Sequence, residues 1–171
     1  ACIAVAATYV SVAFTREISH AVRITYARDS RYEVAKILHD YADRHYTLAT
    51  TEAGLLPLYS GWRSLDTWGL NDAWIAHHDG LVTMDYLAAA KPDLLVYRKG
   101  DRFIDEKSSG INPARWSQQI AVLQQYTREH DFVLARQTAD GLFYFVRPDT
   151  PDANEIVGRI REITAHHPES L

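Results

Sequence analysis

Between Glu52 and Ala76 the chain packs three tryptophans and three carboxylates among turn-forming residues. The run is Glu-Ala-Gly-Leu-Leu-Pro-Leu-Tyr-Ser-Gly-Trp-Arg-Ser-Leu-Asp-Thr-Trp-Gly-Leu-Asn-Asp-Ala-Trp-Ile-Ala. Aromatic faces beside Asp and Asn side chains are what a sugar requires, namely CH–π contact and paired hydrogen bonds to neighbouring hydroxyls. The candidate ligand-binding residues are therefore Trp62, Arg63, Asp66, Asn71 and Asp72. Arg63 is suited to a phosphate or carboxylate on the same ligand. The run lies between an expected strand and an expected helix, and loops at the carboxyl ends of strands are where α/β sheets bind ligands. A structural role fits the same residues. Asp66 and Asn71 could satisfy loop backbone groups, the glycines could supply positive φ, and the tryptophans could fill a core. Residue types alone leave both readings open.

A second constellation is Pro92-Asp93 followed by Asp105-Glu106-Lys107. On a strand, Asp105 and Lys107 point to one face. There Asp93 and Asp105 would hold Mg²⁺ while Lys107 polarises the attacking water. The arrangement resembles the PD-(D/E)xK nuclease motif. The alternative is a hairpin with solvated charges on its outer face. The charge balance also weighs against phosphate-backbone binding, with 18 basic against 22 acidic side chains and a net charge of −4. A nucleic-acid partner is not expected.

Histidines suggest no metal centre. His77-His78-Asp79 is adjacent in sequence, so its side chains diverge; His39 and His45 are separate; His166-His167 lies near the C-terminus. HExxH, CxxC, GxSxG, P-loop and GxGxxG patterns do not occur. Cys2, the single cysteine, lies in an apolar stretch that suits a nucleophile poorly. No catalytic residue, metal ligand or cofactor is assigned.

These groups must be positioned by the elements around them. Hydrophobic periodicity predicts an amphipathic helix over Ser30–Tyr46, capped by Asp29 or Ser30, and a buried strand over Tyr46–Thr51 broken by Gly54 and Pro57. Leu58–Asp72 reads as a loop, and Asn71 as the cap of a short helix over Asp72–His78. A helix over Met84–Ala90 and a strand over Asp93–Tyr97 follow, with Arg102–Lys107 as a returning strand. Asn112-Pro113 opens a long helix to about Glu129, with Pro at its first position. Phe132–Arg136 and Leu142–Arg147 are strands joined at Asp140-Gly141, and Asp149 or Thr150 caps a last helix over Pro151–His166. The alternation predicts an α/β fold. It is a single Rossmann-like layered domain over 30–171, with a mixed, centrally parallel sheet and an antiparallel hairpin at one edge.

The 171 residues fit one domain, and 47% hydrophobic with 23% charged is the balance of a globular chain. Ala1–Phe14 carries no charge and no initiator Met precedes it. It is too short for the roughly 20 residues of a membrane span and lacks a signal peptide's basic start. A buried element of a soluble domain and the end of a severed transmembrane helix both fit. The chain reads as a fragment, with 1–29 as apolar leader and connector.

The run around Asp66 resembles the extracytoplasmic C-terminal domain of GT-C-type membrane glycosyltransferases, relatives of the protein O-mannosyltransferases and aminoarabinose transferases. The resemblance is carried by Gly54, Pro57, Tyr59, Gly61, Asp66, Gly69, Leu70, Asn71, Asp72, Ile75 and Ala76. Lys91-Pro92-Asp93 before an apolar strand and Tyr144-Phe145-Val146-Arg147 are similar to the same domains, so the likeness spans Arg31 to Arg147. It implies that the leader ends the last transmembrane helix and that the domain faces the periplasm or cell exterior. The whole enzyme would then move sugar from a polyprenyl-phosphate donor. Its catalytic acid would lie on a loop of the membrane part, so this domain would be accessory or substrate-binding. The implied partners are the membrane part of the same polypeptide and a glycan or lipid-linked sugar. Asp105-Glu106-Lys107 has no counterpart in that pattern. A purely structural or partner-binding domain is the remaining reading.

Overall fold

The computed structural model describes residues 30–98, 112–138 and 141–166. The apolar leader, the Arg102–Lys107 segment and Asp140 lie outside the described residues. The elements run α1 (Ser30–His39), β1 (Thr47–Thr50), α2 (Leu55–Ser60), β2 (Arg63–Asp66), α3 (Ala73–His77) and α4 (Met84–Ala90). Then come β3 (Leu94–Arg98), α5 (Pro113–Glu129), β4 (Val133–Gln137), β5 (Leu142–Val146) and α6 (Ala153–His166). Among the described residues no helix is long and apolar enough to cross a membrane.

The sheet order is β2-β1-β3-β5-β4. β1 pairs parallel with β2 and β3, and β5 pairs antiparallel with β3 and β4. The expected mixed α/β sheet, parallel at its centre with an antiparallel pair at one edge, is therefore what forms. β1 is buried at every position, as a strand covered on both faces must be. Alternation along β3 sends Leu94 and Val96 to one core and Leu95 and Tyr97 to the other. The first core is closed by Leu38 of α1 and by Ile156 and Ile160 of α6. The second is closed by Ile120, Leu123 and Tyr126 of α5, with Ile75 and Leu87.

Several local expectations need correction. The helix expected over Ser30–Tyr46 stops at His39 and gives way to a 3-10 turn over Ala42–Arg44, after which His45 takes φ 57°. The loop expected over Leu58–Asp72 contains part of α2 and all of β2. β1 ends before Gly54 and Pro57 as expected, and Pro57 falls in the first turn of α2, where the missing N–H costs nothing. Gly61 then ends that helix at φ 70°. β2 holds one apolar residue, Leu65, so it has no alternating signature; pairing of Thr47–Thr50 with Arg63–Asp66 creates it.

Caps differ in two places. Asp72, not Asn71, caps α3 by accepting from the Ile75 amide. α6 begins at Ala153; the Thr150 hydroxyl donates to Asp93 (3.0 Å), and Asp149 pairs with Arg147 (3.0 Å). Asn112 caps α5 as expected, accepting from the amides of Ala114 and Arg115, with Pro113 in the first turn.

Candidate functional site

The run from Gly54 to Ala76 returns from β1 through α2, forms β2, and ends in a ledge, Asp66–Ala76, where the chain leaves the carboxyl end of β2. Asp66, the last residue of β2, is 5% exposed. Its Oδ1 accepts from the Trp68 amide (3.0 Å) and its Oδ2 from the Asn71 amide (2.8 Å), while Gly69 N–H donates to its carbonyl (2.9 Å). One carboxylate thus staples the whole turn. Gly69 permits that turn, because φ is 81° there and a Cβ would stand 2.8 Å from Ile75 Cγ2. Asp72 holds the next step, accepting from the Ile75 amide (3.0 Å) and from the Tyr86 hydroxyl (3.0 Å to Oδ2). Burial first, and then this bond, push the Tyr86 phenol above its ordinary pKa.

The five candidate residues therefore divide. Trp62 belongs to the core: it is 5% exposed, donates from Nε1 to the Leu38 carbonyl (2.7 Å) and meets Tyr46 edge-on at 5.2 Å. Asp66 and Asp72 are engaged by the turn. Asn71 and Arg63 are exposed. Trp74 offers no free ring face, being stacked between His78 (3.9 Å) and Tyr86 (4.1 Å). Asp66→Ala is expected to lower stability by about 2–3 kcal/mol, the loss of two charge-assisted bonds to backbone amides. Asn71→Ala should stay within about 0.5 kcal/mol, as exposed positions do. Urea unfolding of the pair separates a stapling role from a ligand role, which would spare the fold in both variants.

Asp93, the acid of the nuclease-like motif, is committed on both oxygens. Oδ2 accepts from the Thr47 amide (2.8 Å); Oδ1 accepts from Arg147 Nη2 (2.5 Å) and Thr150 Oγ1 (3.0 Å). Asp105 and Lys107 lie outside the described residues. Among the described residues no three His, Cys, Asp or Glu side chains gather as metal ligands would.

A different feature has the shape of a binding site. Where α5 runs beside the sheet, an open groove of about 460 Å³ is lined by Tyr97, Phe143 and Phe145 on one side and by Gln124, Thr127 and Arg128 on another, with Phe132 and Asp131 at the helix end. The strand residues meet because Tyr97 pairs directly with Phe143 in the antiparallel register and Phe145 is two residues further along the same face. Their rings lie 5.4–6.2 Å apart with planes within 16° of parallel. Gln124, Thr127 and Arg128 share a helix face by their i, i+3, i+4 spacing. Burial pushes the Tyr97 phenol above its ordinary pKa, opposed by a hydrogen bond with Thr127 and by the charge of Arg128. Sequence reading missed this groove because its residues come from three elements. The alternation Leu-Phe-Tyr-Phe-Val in β5 was the one available signal.

The fold and its groove define a layered α/β domain with a mixed five-stranded sheet, helices on both faces and an open aromatic groove at the side of the long helix. The chain belongs to the family described as Domain of unknown function (DUF8728), whose model matches residues 17–147. That match takes in the ledge and every residue lining the groove. No curated protein matches the chain, and no solved structure does.

Proposed function

We propose that this domain is a non-catalytic, extracytoplasmic part of a membrane glycosyltransferase that uses a polyprenyl-phosphate sugar as donor. The observation that carries the reading is the ledge. The later part of the run on which that likeness rests, Asp66–Ile75, folds as one stapled turn that exposes Leu70 by 73%, and α2 in the earlier part exposes Leu58 by 72%. Exposed leucines of this kind supply apolar contacts to a partner surface. The partner proposed is the membrane part of the same polypeptide, which would also supply the catalytic acid. Asp66 and Asp72 then shape the ledge and take no part in chemistry.

The test uses the full-length gene product in membranes. Leu58→Asp combined with Leu70→Asp leaves the core untouched, and is expected to cut sugar transfer from a polyprenyl-phosphate donor at least about tenfold, the effect of losing an interface anchor. Asn154→Cys, at an exposed position of α6, is expected to react with a membrane-impermeant maleimide from outside the cytoplasmic membrane. Labelling only after lysis, or unchanged transfer in the double variant, overturns the reading.

A further inference from the structure

The groove beside α5 has three properties that together select a ligand. The first is its polar wall. Gln124 is half-buried, and Arg128 and Asp131 are exposed; among the described residues none of the three side chains hydrogen-bonds or pairs with another protein group. An amide, a guanidinium and a carboxylate supply both donors and acceptors. The guanidinium fork reaches two adjacent hydroxyl oxygens, the carboxylate accepts from two adjacent hydroxyls, and the amide does one of each.

The second property is charge. Among the described lining residues Arg128 and Asp131 offset each other, so these carry no net charge to hold a phosphate or a lipid headgroup. An isoprenoid or acyl chain would in turn leave three polar groups unpaired against it. The third is ring spacing. A flat ring inserted between two parallel rings needs about 7 Å, twice the carbon–carbon contact distance of roughly 3.5 Å. The Tyr97, Phe143 and Phe145 rings are 5.4–6.2 Å apart, which shuts out a nucleobase between them. Phe143 and Phe145, both half-buried, leave ring surface open to the groove for C–H contact, while Tyr97, 3% exposed, adds almost none.

We infer that this groove binds a neutral saccharide unit. The sugar's C–H groups lie against Phe143 and Phe145, and its hydroxyls meet Gln124, Arg128 and Asp131. The groove's volume is within the roughly 300–1,000 Å³ of small-molecule sites. The assignment of a sugar-contacting surface deepens the proposed glycosyltransferase role and rests on that reading for its biological meaning, while binding itself is measurable without transfer activity.

The experiment titrates the full chain with a panel of neutral di- and trisaccharides built from glucose, galactose, mannose and arabinose, followed by saturation-transfer NMR and calorimetry. Inorganic phosphate and a short isoprenyl phosphate are the competing probes. At least one saccharide is expected to bind saturably with a Kd near 1 mM, about −4 kcal/mol. Arg128→Ala and Gln124→Ala, both lining the groove from α5, are expected to weaken it at least about tenfold with unchanged melting temperatures. Phe145→Ala serves as the aromatic arm, read beside its own unfolding curve. The inference is overturned if no saccharide saturates, if Arg128→Ala binds as the parent does, or if either phosphate probe binds in preference. Saccharide binding by a chain that the maleimide assay places in the cytoplasm would sink the membrane reading and leave the groove standing. Transfer that needs the ledge, with no saccharide binding here, would do the reverse.

Discussion

Asp93→Ala is expected to remove about 3–5 kcal/mol of folding stability, the cost of breaking a buried ion pair by deleting one partner. The Asp93 and Arg147 side chains are only 10% and 20% exposed. The aspartate joins three places far apart in sequence: the start of β1 through the Thr47 amide, the end of β5 through Arg147, and the approach to α6 through Thr150. Main-chain bonds repeat the pattern, with Asp93 N–H donating to the Thr47 carbonyl and Arg147 N–H to the Asp93 carbonyl, both at 2.8 Å. Without the carboxylate the Thr47 amide loses its acceptor, and Arg147 keeps only Asp149, itself 76% exposed. Asp93→Asn keeps the shape and one acceptor oxygen, so it should lose roughly half as much. The measurement is the urea midpoint at unchanged m-value. A loss below about 1 kcal/mol for the alanine variant would show that the hub is not structural. A metal-binding Asp93 predicts the opposite result, a stable variant that has lost only its chemistry.

Gln119→Leu is the second large effect, about 2–4 kcal/mol. Gln119 is completely buried; its Oε1 accepts from the Val82 amide (3.1 Å) and its Nε2 donates to the Thr67 carbonyl. Leucine fills the same space but leaves two buried main-chain groups unpaired, at about 1–3 kcal/mol each. Hydrogen exchange adds a local readout. The Val82 amide should lose protection more than amides in β1, which keep their sheet partners. Equal loss at both would mean that the amide contributes only to global stability. Gln119 thus bonds both ends of the segment from Thr67 to Val82 to the helix that walls the groove, beside the Trp68–Trp116 ring contact.

Gln119 also shows where a sequence stops being informative. Its place in α5 follows from Asn112-Pro113 at the helix start and from the helical spacing of the apolar Trp116, Ile120, Leu123 and Tyr126. A buried glutamine carries no local mark of its partners, since Thr67 and Val82 are 52 and 37 residues away. The ledge repeats the point from the other side. Its composition announced a special segment, but an aspartate that staples backbone amides and one that binds hydroxyls look identical in a sequence. The amides of Trp68 and Asn71 decided between them. β2 was illegible for a related reason, because an edge strand with one apolar residue exists only through the neighbour it pairs with.

By itself, then, the sequence determined the elements whose signal is local: the α5 cap and stripe, the short α4, the apolar β3 and the Gly141-flanked pair β4 and β5. Those signals together were enough for a mixed α/β sheet, because periodicity and turn chemistry act within a few residues. Tertiary structure alone decided the fate of the polar groups. It turned Asp66, Asp72 and Asp93 inward to backbone and guanidinium donors, and it left Gln124, Arg128 and Asp131 facing an aromatic row from other strands. A hydrogen bond needs its partner within about 3 Å, and only the folded chain sets which distant residue that is.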